Sequence, residues 1–176
     1  MGSSSSMPMD KLNVTQIESV YRRYGERIFS LCLRLLADMR EAESATVDVF
    51  VQFGRSLTAR WDDSRTQMYL REIAIDASLA HLHKHDDRGA AREPLLLPAI
   101  VPPNGMGEQA LTRIEPQMLE TLIARLPDTE RVAYVLHDVE GASDESIAAH
   151  LGISEAETRR YIRNARLELL RLWHSQ

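Results

Sequence analysis

The sequence has a single cysteine, Cys32, among its 176 residues, and this excludes an internal disulfide. Cys32 stands in a leucine-rich stretch, which favours a buried structural thiol over a reactive one. No run of apolar residues approaches the length of a membrane span, and the opening lacks the basic and apolar regions of a signal peptide. We therefore expect a cytoplasmic protein without membrane insertion.

The chain also lacks the residue patterns of an enzyme. It has no glycine-rich phosphate loop, no set of cysteine and histidine ligands, and no arrangement of serine, histidine and acid that spacing supports. His81 and His85 share one helix face, but without a third ligand nearby we favour a polar helix end over a metal site. The sequence predicts no catalytic residue, no metal, no cofactor and no small-molecule substrate.

Positive charge is in the minority. The chain has 21 Lys and Arg residues against 26 Asp and Glu residues, a formal net charge of -5 at pH 7. Bulk electrostatic attraction therefore does not hold the whole molecule on nucleic acid. Any contact with DNA has to be local or helped by a partner.

Proline is absent from residues 13–85, where apolar residues recur at helical spacing. The pattern predicts three helices, the second over 40–55 and the third over 66–84. The opening letters MGSSSS are interpreted as a cloning leader, and residues 1–12 as leader and disordered N-terminus. With 44% hydrophobic residues the chain can bury one mid-sized core or two small ones, and we expect two. Residues 13–85 form the domain around the first of these cores.

Helical periodicity fails in residues 86–114, where four prolines cluster. This stretch is predicted to be a flexible linker, although its apolar residues suggest that it lies against a domain of the same chain. Residues 115–176 form the second domain, with four helical patterns. Pro127 opens the second of them and Gly141 ends it.

The last two helical patterns form a helix-turn-helix over 144–166. Gly152 closes the first helix at a position where positive φ is needed. Ser154 offers its side-chain oxygen to the next turn, and Glu157 follows three residues later, which makes a capping box. The second helix is therefore predicted to begin at about Glu155.

The outward side of this second helix carries four arginines, Arg159, Arg160, Arg163 and Arg166. A helix that reads a DNA groove has this pattern, and the alternative is the solvated side of an ordinary amphipathic helix. Glu157 either accepts a hydrogen bond from a cytosine amine or caps the helix, and we favour the cap.

The order of these parts resembles the extracytoplasmic-function sigma factors of the sigma-70 family. The first domain carries the matching segments VYRRYGERIFSLCLRLLADMREAE, DVF and YLREIAIDASLAHLHKH, and the second carries IARLPDTERVAYVLHDVEGAS before the helix-turn-helix. The resemblance covers nearly all of the chain. It implies an all-α fold of two small helical domains, similar to sigma regions 2 and 4, joined by a flexible linker.

By resemblance, the protein binds core RNA polymerase and directs it to promoter DNA, with an anti-sigma factor as a further partner. The implied polymerase contacts are Glu43, Asp48 and Phe50. Region 2 would meet the −10 element through Trp61, Tyr69, Arg71 and Lys84. Region 4 would meet the −35 element through Ser154, Glu157, Arg159, Arg160, Arg163 and Arg166. Trp61 either cradles a flipped base or fills the domain core, and we favour the core.

Four positions depart from the family pattern. Ser44 and Val47 stand where an aspartate and a glutamine usually face the polymerase, and Ile75 and Asp76 replace an arginine and an asparagine. They favour the alternative of a sigma-like protein that sequesters a regulator, such as an anti-sigma factor, without initiating transcription. A dimeric helix-turn-helix repressor would need a dimerisation segment, and the sequence reserves none.

Overall fold

A computed structural model describes residues 9–56, 61–86, 111 and 114–175 of the chain. These residues form helices and no strand, so the prediction of an all-α fold is confirmed. Two compact units result, one built from residues up to Leu33 together with Asp38–His81, and one from Arg34–Ala37 together with the chain from Leu82 onward. The predicted boundaries at 85 and 115 stay a prediction.

Three helices supply the first unit: α1 (Met9–Leu36), α2 (Met39–Ser56) and α3 (Asp63–Asp86). An aspartate before α2 and another before α3 cap the helices. The Asp38 carboxylate accepts the N–H of Glu41 at 2.9 Å, and the Asp62 carboxylate accepts the N–H of Arg65 at 2.8 Å. The cap at Asp62 explains why α3 begins three residues before its predicted start.

The core of the first unit is packed closely. Cys32 is fully buried, as expected, and burial raises the pKa of its thiol. Gly54 allows α1 and α2 to approach, because a Cβ there would lie 2.7 Å from the Cδ1 of Ile17. The other large core side chains include Val49, Phe53, Leu70, Ile73 and Ile75.

The second unit contains α4 (Pro116–Ile123), α5 (Asp128–Tyr134), α6 (Asp144–Leu151) and α7 (Glu155–His174). The sequence predicts one helix from Pro127 to Gly141, but α5 continues as a π-helical turn, Val135–Val139, before Gly141 breaks it at φ 68°. Leu111 and Ile114 are buried, so apolar packing begins within the predicted linker. Residues 87–110, 112 and 113 of that linker lie outside the described residues.

Arg131 is the most buried charged residue of the second unit, with 3% of its surface exposed. Its guanidinium donates to the carbonyl oxygen of Leu126 at 2.8 Å and to the Asp128 carboxylate at 2.7 Å. These bonds hold the turn between α4 and α5, so the two helices enter the unit at a defined angle.

Candidate nucleic-acid interface

The helix-turn-helix of the second unit has the predicted turn. Helix α6 starts after Ser143, whose hydroxyl accepts the N–H of Ser146 at 3.2 Å. It ends at Gly152, where φ is 65°. Ser154 and Glu157 then form the capping box of α7, with the Ser154 N–H donating to the Glu157 carboxylate at 3.0 Å.

The carboxylate of Glu157 makes its hydrogen bonds within this cap. Its carboxylate also accepts the Ser154 hydroxyl at 2.8 Å, and the hydrogen bonds from Ser154 lower the pKa of Glu157. The capping role that the sequence favoured is therefore confirmed, while contact of Ser154 or Glu157 with a base stays a prediction.

The inner face of α7 anchors the helix to its unit. Ile162, Ala165 and Leu169 are buried, as predicted. Thr158 is fully buried as well, and its hydroxyl donates to the Ser154 carbonyl one turn earlier at 3.2 Å. The opposite side of α7 is thus the one left for a partner.

The four predicted DNA-binding arginines on that outward side differ in whether they pair with a carboxylate of the same protein. Arg159 donates to the Asp144 carboxylate at 3.2 Å and to Glu155 at 3.3 Å, and these bonds, that to Asp144 first, raise the pKa of Arg159. Arg166 makes a two-pronged ion pair with Asp138, at 2.8 and 2.6 Å.

The other two arginines, Arg160 and Arg163, are exposed. The guanidinium of Arg160 lies 5.1 Å from the centre of the Tyr161 ring. Neither has a carboxylate oxygen within 4 Å among the residues that the structure describes. They are the cations of α7 most available to a phosphate or a base.

In the first unit, Trp61 belongs to a cluster of aromatic rings. It packs edge-on against Phe53 and Tyr69, with ring centres 5.8 and 4.9 Å away. The Arg65 guanidinium covers the indole at 4.5 Å, and the Tyr69 hydroxyl lies 2.6 Å from that of Ser56. Trp61 is half-buried, so the structure gives it a packing role and still leaves part of the ring accessible.

A polar cavity of about 350 Å³ opens beside this cluster. Its wall includes Trp61, Asp62, Asp63 and Thr66 on one side and Arg23 and Tyr24 of α1 on the other. Asp63 pairs with Arg23 at 2.9 Å and accepts the Tyr24 hydroxyl. The cavity therefore combines a ring face with fixed charges of both signs, which suits a polar aromatic group.

The other two residues predicted for the −10 element lie elsewhere on α3. Arg71 is half-buried and Lys84 is exposed. Lys84 lies near the end of α3, in the part of the chain that belongs to the second unit. Ile75 is 2% exposed, so its departure from the family pattern concerns packing, whereas Asp76 is exposed.

The predicted polymerase contacts lie on α2 but differ in exposure. Glu43 and Asp48 are exposed, whereas Phe50 is 7% exposed and packs edge-on against Tyr21 at 4.9 Å. Phe50 therefore supports this surface from beneath. Its outward apolar neighbours are Val47, 62% exposed, and Val51, 45% exposed, beside a shallow groove of about 420 Å³.

His81 is a residue whose importance the sequence reasoning missed. Its ring is buried, with Nδ1 2.6 Å from the Glu41 carboxylate and Nε2 3.0 Å from Asp48. One imidazole of α3 thus bridges two turns of α2. A seven-residue spacing of acids on α2 was the available signal, since such residues share a helix face.

Neither a metal site nor a membrane-spanning helix is found among the described residues. No group of three or more His, Cys, Asp or Glu side chains there is arranged to hold a metal ion. None of the described helices is both long enough and apolar enough to cross a membrane.

The chain is similar to known proteins along most of its length. The family model for sigma-70, region 4, matches residues 117–169. Over 91% of its length, the chain is 26% identical to an ECF RNA polymerase sigma factor, SigE, of Mycolicibacterium smegmatis. Over 79% of its length, the chain is 24% identical to a probable RNA polymerase sigma factor, RfaY, of Xanthomonas campestris pv. campestris. The matches span 62% and 36% of these two relatives.

A solved structure has the same fold. It is the sigma factor RpoE of Bartonella quintana, crystallised in complex with the anti-sigma factor NepR. The TM-score is 0.58 at 16% identity, and the alignment covers 90% of this chain and 97% of that one.

Proposed function

We propose that this chain is a sigma factor of the extracytoplasmic-function group of the sigma-70 family and that it directs RNA polymerase to promoters. The helix-turn-helix carries this proposal. Its second helix is capped by Ser154 and Glu157 and presents Arg160 and Arg163 on its outward side, within the stretch that matches region 4. The protein itself performs no catalysis in this proposal, and it acts in the cytoplasm, where the polymerase is.

The second unit would bind the −35 element. Helix α7 is anchored by its buried face, so its arginines meet DNA from a fixed base. Arg160 and Arg163 would contact phosphates or guanine edges in the major groove. Arg159 and Arg166 were predicted as readers as well, and they would reach DNA only by leaving Asp144 and Asp138.

The first unit would bind core polymerase and the −10 element. The exposed carboxylates of Glu43 and Asp48 on α2 suit basic residues of a partner. The half-buried ring of Trp61 and the cavity beside it suit an unpaired base, with Tyr69 as a packing neighbour. Arg71 and Lys84 remain proposed phosphate contacts along α3.

The net charge of -5 indicates that promoter binding depends on polymerase binding. An acidic protein gains little from the counterions that DNA releases, so the chain alone should bind promoters weakly. Docking on the polymerase holds both units at high effective concentration near their DNA elements. Promoter binding is therefore expected in the complex and not in the free chain.

One observation favours a second candidate, a sigma-like protein that sequesters an anti-sigma factor. The predicted docking face of α2 presents Val47 where the family pattern has a glutamine, and the exposed Val51 lies on the same helix. Such exposed apolar side chains suit a protein partner. The structural neighbour was itself solved with an anti-sigma factor.

Run-off transcription separates the two candidates. Purified core polymerase, with and without this protein, is given promoter DNA from upstream of the protein's own gene, and co-elution with core is measured in parallel. A start site that appears only with the protein is expected. No transcript together with no co-elution would exclude the initiation factor and favour sequestration.

A double variant tests the DNA reader. Arg160→Ala with Arg163→Ala should abolish the specific start while core still co-elutes. Arg22→Ala with Arg125→Ala is the matched control, because it removes two exposed positive charges away from α7. Equal loss of core binding in the first double variant would contradict the division of roles between the units.

A further inference from the structure

We infer that Asp144 and Asp138 determine which arginines of α7 read DNA, by holding Arg159 and Arg166 in ion pairs within the protein. The inference rests on the proposed function, since it concerns the same DNA-reading helix. By this inference only Arg160 and Arg163, of the four arginines, contact DNA freely, and the two aspartates contribute to sequence specificity.

The pair between Arg166 and Asp138 has the geometry of a structural contact. Two nitrogens of the guanidinium meet the two carboxylate oxygens, at 2.8 and 2.6 Å. The side chains are 25% and 15% exposed, so water screens the pair only in part. Asp138 lies on the π-helical turn after α5, and the pair therefore ties α7 to that turn.

The contacts of Arg159 are more open. Its side chain is 54% exposed, and Nη1 lies 3.2 Å from Asp144 and 3.3 Å from Glu155. Asp144 is the better-placed acid, because it is the first residue of α6 and only 25% exposed. A carboxylate at a helix N-terminus is favoured there by the helix dipole, so Asp144 is fixed before DNA arrives.

The order along α7 shows what these pairs do to the reading face. Arg159 precedes Arg163 by four residues and Arg166 follows it by three, so the three share one side of the helix. Two of them are neutralised by aspartates from the segment before α7. A phosphate that binds Arg159 has to displace Asp144, which weakens contacts that carry no sequence information.

The test is the DNA affinity of Asp144→Asn in the full chain, measured by fluorescence anisotropy across a salt series with promoter duplex, with and without core polymerase. The substitution keeps the size of the side chain and removes the competing charge. We expect about fivefold tighter binding and a salt dependence steeper by about one unit, as for one added phosphate contact. Discrimination against a duplex with an altered −35 element should fall.

Two comparisons separate released Arg159 from a general change of charge. Glu145→Gln removes an equal charge from the next, exposed residue, for which no ion pair is seen among the described residues, and it should change affinity much less. In an Arg159→Ala background, Asp144→Asn should have no more effect than Glu145→Gln. Equal gains from Asp144→Asn and Glu145→Gln, or a gain that persists without Arg159, would overturn the inference.

The two arms of the experiment also separate this inference from the proposed function. A gain that requires Arg159 in the full chain alone, with no binding to core polymerase, would support the assigned role of Asp144 and refute the initiation factor. If the protein binds promoter DNA together with polymerase, and Asp144→Asn does not change the affinity, the initiation factor is supported and the assigned role of Asp144 is refuted.

Discussion

His81 is predicted to be a main support of the first unit, and His81→Ala tests this. Its imidazole has a carboxylate oxygen at each nitrogen, at 2.6 and 3.0 Å. Each ring nitrogen lies within hydrogen-bond distance of one carboxylate, so the imidazole of α3 bridges two turns of α2. Alanine removes both contacts with Glu41 and Asp48 together with the buried ring.

The size of the effect follows from the exposure of the partners. Glu41 is 29% exposed in its side chain, and losing the hydrogen bond between its carboxylate and the His81 ring should cost about 2 kcal/mol. Asp48 is 58% exposed, so solvent screening reduces its share to about 0.5 kcal/mol. The lost packing of the buried ring adds about 1 kcal/mol. The free energy of unfolding should fall by about 3.5 kcal/mol in all.

Tryptophan fluorescence measures this loss in the right unit. Trp61 belongs to the first unit and Trp173 to the second, so a Trp173→Phe background makes urea unfolding report on the first. Met68→Ala is the control, because Met68 lies on α3 within the first unit and is 63% exposed, and its effect should stay within about 0.5 kcal/mol. A loss below about 1 kcal/mol for His81→Ala, or an equal loss for Met68→Ala, would refute the reasoning.

Two further predictions concern the second unit and are followed through Trp173 in a Trp61→Phe background. Ser154→Ala removes the hydroxyl of the capping box and should lower the free energy of unfolding by about 1–2 kcal/mol. An unchanged free energy of unfolding would contradict this prediction. Glu130 is half-buried, and burial raises the pKa of its carboxyl, so its stabilising contribution is present at acid pH and is lost as pH rises through the raised pKa. Glu130→Gln should therefore raise stability at pH 7 more than at pH 4, and equal gains at both pH values would contradict this reading.

Local features of the fold were predictable from the sequence. The capping box at Ser154 and the turn at Gly152 depend on residues three or four positions apart, and the structure has both. The all-α class followed from helical periodicity in the same way. Helical periodicity predicts the start of α3 three residues late, because it does not include the cap in which the Asp62 carboxylate accepts the N–H of Arg65.

Contacts between distant residues were not predictable. His81 meets Glu41 across 40 positions, and Arg166 meets Asp138 across 28. The seven-residue spacing of two acids on α2 marks a shared helix face, but it does not identify His81 as their partner. Each pair depends on how two helices are turned toward each other. A family resemblance gives the position of a residue in a motif and not its exposure, which is why Phe50 and Ile75 were expected at a surface and are buried.

The capping box at the start of α7 also bears on the heat of DNA binding. The box, the hydroxyl bond of Thr158 and the buried apolar stripe all exist before DNA is present, so the reading helix needs no folding on contact. Coupled folding gives a large negative heat-capacity change, whereas rigid docking gives only the part due to surface buried at the interface. Recognition of the −35 element by this unit should therefore have the temperature dependence of two preformed surfaces meeting.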